Sequence, residues 1–211
     1  MFTANDKKFF GEVIDLCFNN KISLKLLHAK SINKCGGFFN ETVLATSTDR
    51  KTEDFLSILV HEYSHVQQFL NPNSQWHSPF WNKHGDAISW DYLDGRKDHS
   101  KQMVTKSFKQ SIEVELECER LALANIRKFN LNIDQENYVQ KGNAYLFAYY
   151  YFRKYRCWYN PQRKPYDYIP IINAMETEYL GGADDYWVKV PILWDYLGDN
   201  HISLQKKKYM P

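Results

Sequence analysis

Phe55-Leu56-Ser57-Ile58-Leu59-Val60-His61-Glu62-Tyr63-Ser64-His65 is the stretch on which the reading of this chain turns. It reads as a buried helix, with a candidate N-cap at Thr48, Asp49 or Thr52 and a stop at Asn71-Pro72. On a helix, residues four apart stand one turn above each other, so His61 and His65 can offer ring nitrogens to one metal ion. Glu62 then points beside that ion, where a carboxylate can take the proton of a water acidified by zinc as the water attacks a peptide carbonyl. With seven His in 211 residues, a chance match to this H-E-x-x-H pattern is uncommon.

Upstream, Lys7 to Asn20 carries Phe9, Phe10, Val13, Ile14, Leu16 and Cys17 at helical spacing and predicts an amphipathic first helix. Two strand-like runs, Ile22 to His28 and Thr42 to Thr46, flank a turn-rich stretch around Asn33 to Gly37, and Phe38-Phe39 adds a further strand. The segment near Thr42 to Thr46 is expected to be an edge strand able to hold an extended peptide. Downstream, residues 105–129 and 134–156 predict two long helices, followed by an irregular Pro- and Tyr-rich tail with shorter helical pieces. The expected fold is α+β, a small antiparallel or mixed sheet packed on the H-E-x-x-H helix and then a mainly helical C-terminal half. No Pro/Gly/Ser-rich linker divides the chain, so a single domain over residues 1–211 is expected.

Lys+Arg 27 against Asp+Glu 25 leaves no overall field to draw the chain to nucleic acid or anionic lipid, and Lys206-Lys207-Lys208 reads as a solvated tail. Met1 to Lys8 lacks an apolar signal core, and no apolar stretch approaches the ~20 residues that span a bilayer. A soluble, cytoplasmic protein is expected. Cys17, Cys35, Cys118 and Cys157 form no C-x-x-C pair, which suits free thiols in a reducing compartment. The aromatic residues, 16% of the chain, concentrate after residue 144, as core, substrate groove or dimer surface.

A catalytic zinc takes three protein ligands and keeps one position open, so His61 and His65 need a partner. In Ile112-Glu113-Val114-Glu115-Leu116-Glu117-Cys118-Glu119-Arg120, helical geometry puts Glu113 and Glu117 with Arg120, Arg127 and Lys128 on a charged, solvated face. Glu115 and Glu119 fall on the opposite arc among Ile112, Leu116, Ala122, Leu123, Ile126 and Phe129. Carboxylates there are costly unless neutralised. Zinc beside Glu115, with Glu119 one turn on accepting a bond from a ligand histidine, resolves that cost, as would a buried Arg or Lys. The alternative third ligand is His77, in Trp76-His77-Ser78-Pro79-Phe80-Trp81, which resembles the third-histidine segment of SprT-like zincins. The later cysteine zinc ribbon usual in SprT-like proteins is missing, and on the Glu115 reading His77 and His84 are surface or cleft-rim residues.

His61-Glu62-Tyr63-Ser64-His65 paired with Glu115-Leu116-Glu117-Cys118-Glu119 resembles the gluzincin pattern shared by HtpX-like and minigluzincin peptidases, H-E-x-x-H followed by E-x-x-x-D/E on a second helix. Helix, short sheet, then metal helix is also the order in which small zincins build their cleft. By that resemblance Glu115 matches the zinc-binding Glu, Cys118 a small residue, Glu119 the acid that orients a ligand, and Ala122 a small packing residue. Glu119 departs from the commoner Asp by its longer reach. From about Phe38 to Tyr186 the chain also looks like a group of uncharacterised phage-encoded metallopeptidase-like proteins. That likeness rests on the same helix and Glu segment, on Asn143-Ala144-Tyr145-Leu146-Phe147, and on Trp158-Tyr159 followed by Pro161 and Pro165. Membrane-embedded HtpX-type enzymes are excluded by the missing spans.

The resemblance implies a Zn2+-dependent endopeptidase acting on a peptide or protein, in the host cytoplasm if the chain is viral. His61, His65 and Glu115 would hold the ion, Glu62 would act as general base and then acid, and Glu119 would orient a ligand. The oxyanion donor would come from Tyr145, Tyr149, Tyr150, Tyr151, Tyr155, Arg153 or His201, and the likeness around Asn143 to Phe147 favours Tyr145. Two rivals stand beside this reading: a catalytically silent zincin scaffold that binds or inhibits a partner, and a DNA-associated protease like the SprT group. Glu62 argues against the first, because a structural site needs no general base. Near-neutral charge argues against the second.

Overall fold

The structure is a computed structural model and describes residues 2–32, 35–156, 158 and 164–197. It contains helices α1 (Ala4–Asn19), α2 (Thr52–Leu70), α3 (Pro79–His84), α4 (Ala87–Asp94), α5 (Lys101–Phe129), α6 (Gln135–Tyr155), α7 (Ile169–Ile172) and α8 (Ala183–Tyr186). Strands β1 (Ser23–Leu27), β2 (Gly37–Phe39) and β3 (Val43–Ser47) form one sheet, so the class is α+β, mainly helical with a small mixed sheet. None of the described helices is long and apolar enough to cross a membrane. The chain divides into two compact units, residues 1–76 with 117–138 and residues 77–116 with 139–211.

In the first unit, Thr3 caps α1 reciprocally with Asp6: the Asp6 N–H donates to Thr3 Oγ1 at 3.1 Å and the Thr3 N–H to Asp6 Oδ2 at 2.7 Å. Asp6 is fully buried, and its other oxygen accepts the Asn132 N–H at 3.3 Å, which ties the helix start to the loop after α5. The inward face of α1 presents Phe9, Val13 and Cys17. Phe9 packs edge-on to Tyr63 of α2 at 5.4 Å and tilted against Phe129 of α5 at 5.3 Å. Leu56, Leu59, Val60, Ala122 and Ile126 fill the same core.

The sheet order is β1-β3-β2, with β1 parallel and β2 antiparallel to β3. This corrects the expectation of an edge strand near Thr42 to Thr46. That segment is the central strand, its backbone paired on both sides. The reason lies in the turn before it: Asn40 Oδ1 accepts the Val43 N–H at 2.9 Å, Glu41 takes φ 70°, and β2 folds back over the edge that β3 would have exposed. Phe38-Phe39 is strand, as expected.

The helix α2 begins at Thr52 with Lys51 at the cap and no side-chain cap bond, so Thr48, Asp49 and Thr52 do not fill that role. Glu53 and Asp54 in its first turn compensate by facing the positive end of the helix dipole. It stops at Asn71, ahead of Pro72.

The second unit is built on the first half of α5 and most of α6. Val104, Phe108 and Ile112 face Leu146, Phe147, Ala148 and Phe152 in one cluster. The aromatic excess is largely core here. Tyr151 and Tyr186 are fully buried, and the Tyr151 hydroxyl both donates to the Val190 carbonyl at 2.6 Å and accepts its N–H at 2.7 Å. Asn143, also fully buried, donates to the carbonyls of Glu176 and Glu178 at 2.7 and 2.9 Å and accepts the Tyr186 hydroxyl. Cys17, Cys35 and Cys118 are in no disulfide; Cys157, His201 and Lys206 to Lys208 lie outside the described residues, as do Tyr159 and Pro161.

Candidate metal centre

His61, His65 and Gln68 stand at i, i+4 and i+7 on α2 and so share one face of that helix. The imidazoles meet edge to face with centroids 4.7 Å apart. His65 is buried, and the His61 side chain keeps 21% exposure. Glu62, between them in sequence, is buried beneath β2. A Cβ added at Gly37 would come to 2.9 Å from Glu62 Cγ and 2.8 Å from the Ala45 carbonyl oxygen, so only glycine allows the strand to lie this close to the carboxylate side chain.

Each histidine has its Nδ1 engaged. Glu119, buried on α5, places Oε1 3.1 Å from His61 Nδ1. His65 Nδ1 lies 2.8 Å from Gln68 Oε1, and Gln68 Nε2 donates to Glu117 Oε2 at 2.7 Å. Glu117 also accepts the Gln75 N–H at 2.8 Å. A carboxylate only accepts, so Glu117 must face the NH2 end of the Gln68 amide. Gln68 then turns its carbonyl oxygen to His65, which must donate from Nδ1 and keep the lone pair on Nε2. Glu119 imposes the same tautomer on His61 when that ring is neutral. Burial, and then the neighbouring His61, push His65 down to about 3, so its ring is neutral at physiological pH. Burial works to lower His61 as well, but Cys118 and Glu119 beside it outweigh that and hold it well above the ordinary imidazole value.

The sequence places Glu117 on a solvated face; the structure corrects this. Glu117 is half-buried and hydrogen-bonded, and Glu113 is half-buried and accepts the Ala183 N–H at 2.7 Å. Other segments partly cover Glu113 and Glu117, which periodicity within one helix cannot register, while Arg120, Arg127 and Lys128 on the same face stay exposed as expected. Gln68 is the site residue that sequence reasoning missed. Its only signal is a polar side chain one turn beyond His65, on the helix face that carries both histidines.

No protein-family model, no curated protein and no solved structure matches this chain. The site is therefore read from its own geometry. Among the described residues, the donor atoms of His61, His65 and Cys118 gather within 4.8 Å of one another. Glu115 is half-buried on α5, one helical turn before Glu119. Glu115, His77, at the end of a short 3-10 turn, and Tyr145, on α6, all belong to the second unit, whereas His61 and His65 belong to the first. Tyr145 shares a hydroxyl hydrogen bond of 2.9 Å with Tyr149 and packs against Trp158 and Tyr166.

Proposed function

We propose that the chain is a zinc-dependent metallopeptidase of gluzincin type, with His61, His65 and Glu115 as ligands and Glu62 as general base and then acid. The observation that carries this reading is the pair of imidazoles whose Nδ1 atoms are held by Glu119 and Gln68, which leaves Nε2 as the atom through which each ring would bind an ion. The donor set of two neutral imidazoles and a carboxylate suits zinc. Because α5 is unbroken from Lys101 to Phe129, one helix supplies both Glu115 and Glu119 at the four-residue spacing that ligand and orienting acid need.

Zinc, when bound, supplies a Lewis acid that polarises a peptide carbonyl and acidifies water. The protein's own groups do the rest. Glu62 takes a proton from the attacking water on a carboxylate oxygen and returns it to the nitrogen of the departing amine. Glu119 and Gln68 keep the Nδ1 protons in place, so the ligand rings do not rotate or change tautomer during turnover.

The test is zinc content per chain for wild type, Glu115→Ala and His77→Ala purified in parallel, together with turnover of a fluorogenic peptide library by Glu62→Gln. Near one zinc in wild type, lost with Glu115→Ala and kept with His77→Ala, is expected. Glu62→Gln should keep its zinc and lose roughly 10²–10⁴-fold in kcat. Unchanged turnover would refute the mechanism, and zinc loss with His77→Ala alone would move the protein to the SprT-like reading.

A further inference from the structure

Cys118 occupies a position that the proposed peptidase chemistry does not use. It is fully buried, donates its S–H to the His61 carbonyl at 3.3 Å, and holds Sγ 3.7 Å from His61 Nδ1. A tetrahedral ion bonded to thiolate at about 2.3 Å and to imidazole at about 2.1 Å has an S···N edge of about 3.6 Å. The Cys118–His61 spacing matches that edge. With a His65 donor atom also within 4.8 Å of both, about an ångström of side-chain adjustment closes a three-donor set.

We infer that His61, His65 and Cys118 form a second, thiolate-containing donor set that captures a thiophilic divalent cation such as Cd2+. The set takes His61 through Nδ1, where Glu119 now sits 3.1 Å away, so capture displaces Glu119 from the ring. Cys118 gives up its proton and its bond to the His61 carbonyl, His61 gives up its Nδ1 proton and keeps the one on Nε2, both released protons go to solvent, and one metal–sulfur and two metal–nitrogen bonds form with no change of oxidation state. His65 cannot serve two ions at once. The thiolate mode and the mode with both Nε2 atoms and Glu115 therefore exclude one another, and a soft cation silences the site by occupying it. Thiolate favours soft ions where carboxylate and imidazole alone do not. The inference holds whether or not Glu115 binds zinc.

The experiment is titration of the metal-free, reduced full chain with Cd2+, in a Cys35→Ser/Cys157→Ser background, following thiolate-to-cadmium charge-transfer absorption. One equivalent should produce the band. It should survive Glu115→Ala and vanish in Cys118→Ser and in His61→Gln, with folding verified by circular dichroism. Cadmium-113 NMR on the Cys118-containing protein gives an answer independent of any variant's folding. A resonance shifted into the range of sulfur-ligated cadmium supports the set; one in the range of purely nitrogen and oxygen ligands overturns it. Absence of the band, or its persistence in a folded Cys118→Ser protein, overturns it equally.

Discussion

Gln68 and Glu117, on different helices, are joined from Nε2 to Oε2 at 2.7 Å, and this bond decides which end of the Gln68 amide faces His65. Gln68→Met keeps the length of the side chain but removes the acceptor that holds the His65 proton. Zinc affinity is expected to fall roughly 10–100-fold, measured by competition with a chelating dye. Glu117→Gln should give a smaller loss, because a neutral amide can still accept while no longer forbidding the flipped Gln68. Equal zinc affinity in all three proteins would remove Gln68 from the site.

Gly37→Ala puts a methyl against the Ala45 carbonyl and the Glu62 and Ile58 side chains. The carbonyl belongs to the central strand and cannot yield, so the edge strand or Glu62 must shift. A destabilisation of about 1–3 kcal/mol is expected in urea denaturation, accompanied by reduced kcat at unchanged zinc content. Full turnover together with wild-type stability would contradict the close approach.

The buried neutral His65 makes the metal-free protein acid-sensitive. Its folded value of about 3 lies below the unfolded value near 6.5, so its contribution is present above about pH 6.5 and is lost as pH falls toward 3. One such group gives a slope of about 1.4 kcal/mol per pH unit across that window. His61, raised instead, contributes below its unfolded value and loses that contribution as pH rises through its folded one. The stability gap between metal-free wild type and His65→Gln should therefore narrow from pH 6.5 to pH 4. A gap independent of pH would mean that the ring is not buried in neutral form.

Tyr145→Phe breaks the hydroxyl pair with Tyr149. About 1 kcal/mol of stability should be lost, with zinc content unchanged. Turnover reduced at unchanged thermal midpoint would instead make Tyr145 the oxyanion donor.

What the sequence could reveal follows from the range of the forces involved. The helix α2 was readable because apolar spacing is a property of the helix itself, and His61, Glu62 and His65 inherit their common placement from that spacing. Both long helices were readable to within a few residues for the same reason. The central position of β3 was not, since strand order depends on pairings among segments up to about twenty residues apart, of which a five-residue run carries no trace. Glu117 failed similarly: periodicity separates two faces of α5 but does not say which of them another segment will cover. Glu119 lies buried beside His61, the kind of partner that its cost on an apolar face demands. Gln68 offered no such paradox, being a residue that sits acceptably on a surface.

The division between the two units falls between Leu116 and Glu117, inside a single helix, and each unit draws on two separate pieces of chain. No contiguous fragment consists of either unit alone. A fragment ending at Trp76 keeps His61, Glu62 and His65 but loses Glu119, Glu117 and the Asn132 N–H that Asp6 accepts. Domain dissection by truncation will therefore produce fragments with exposed core, and only internal splicing across residues 77–116 can test whether the first unit folds without the second.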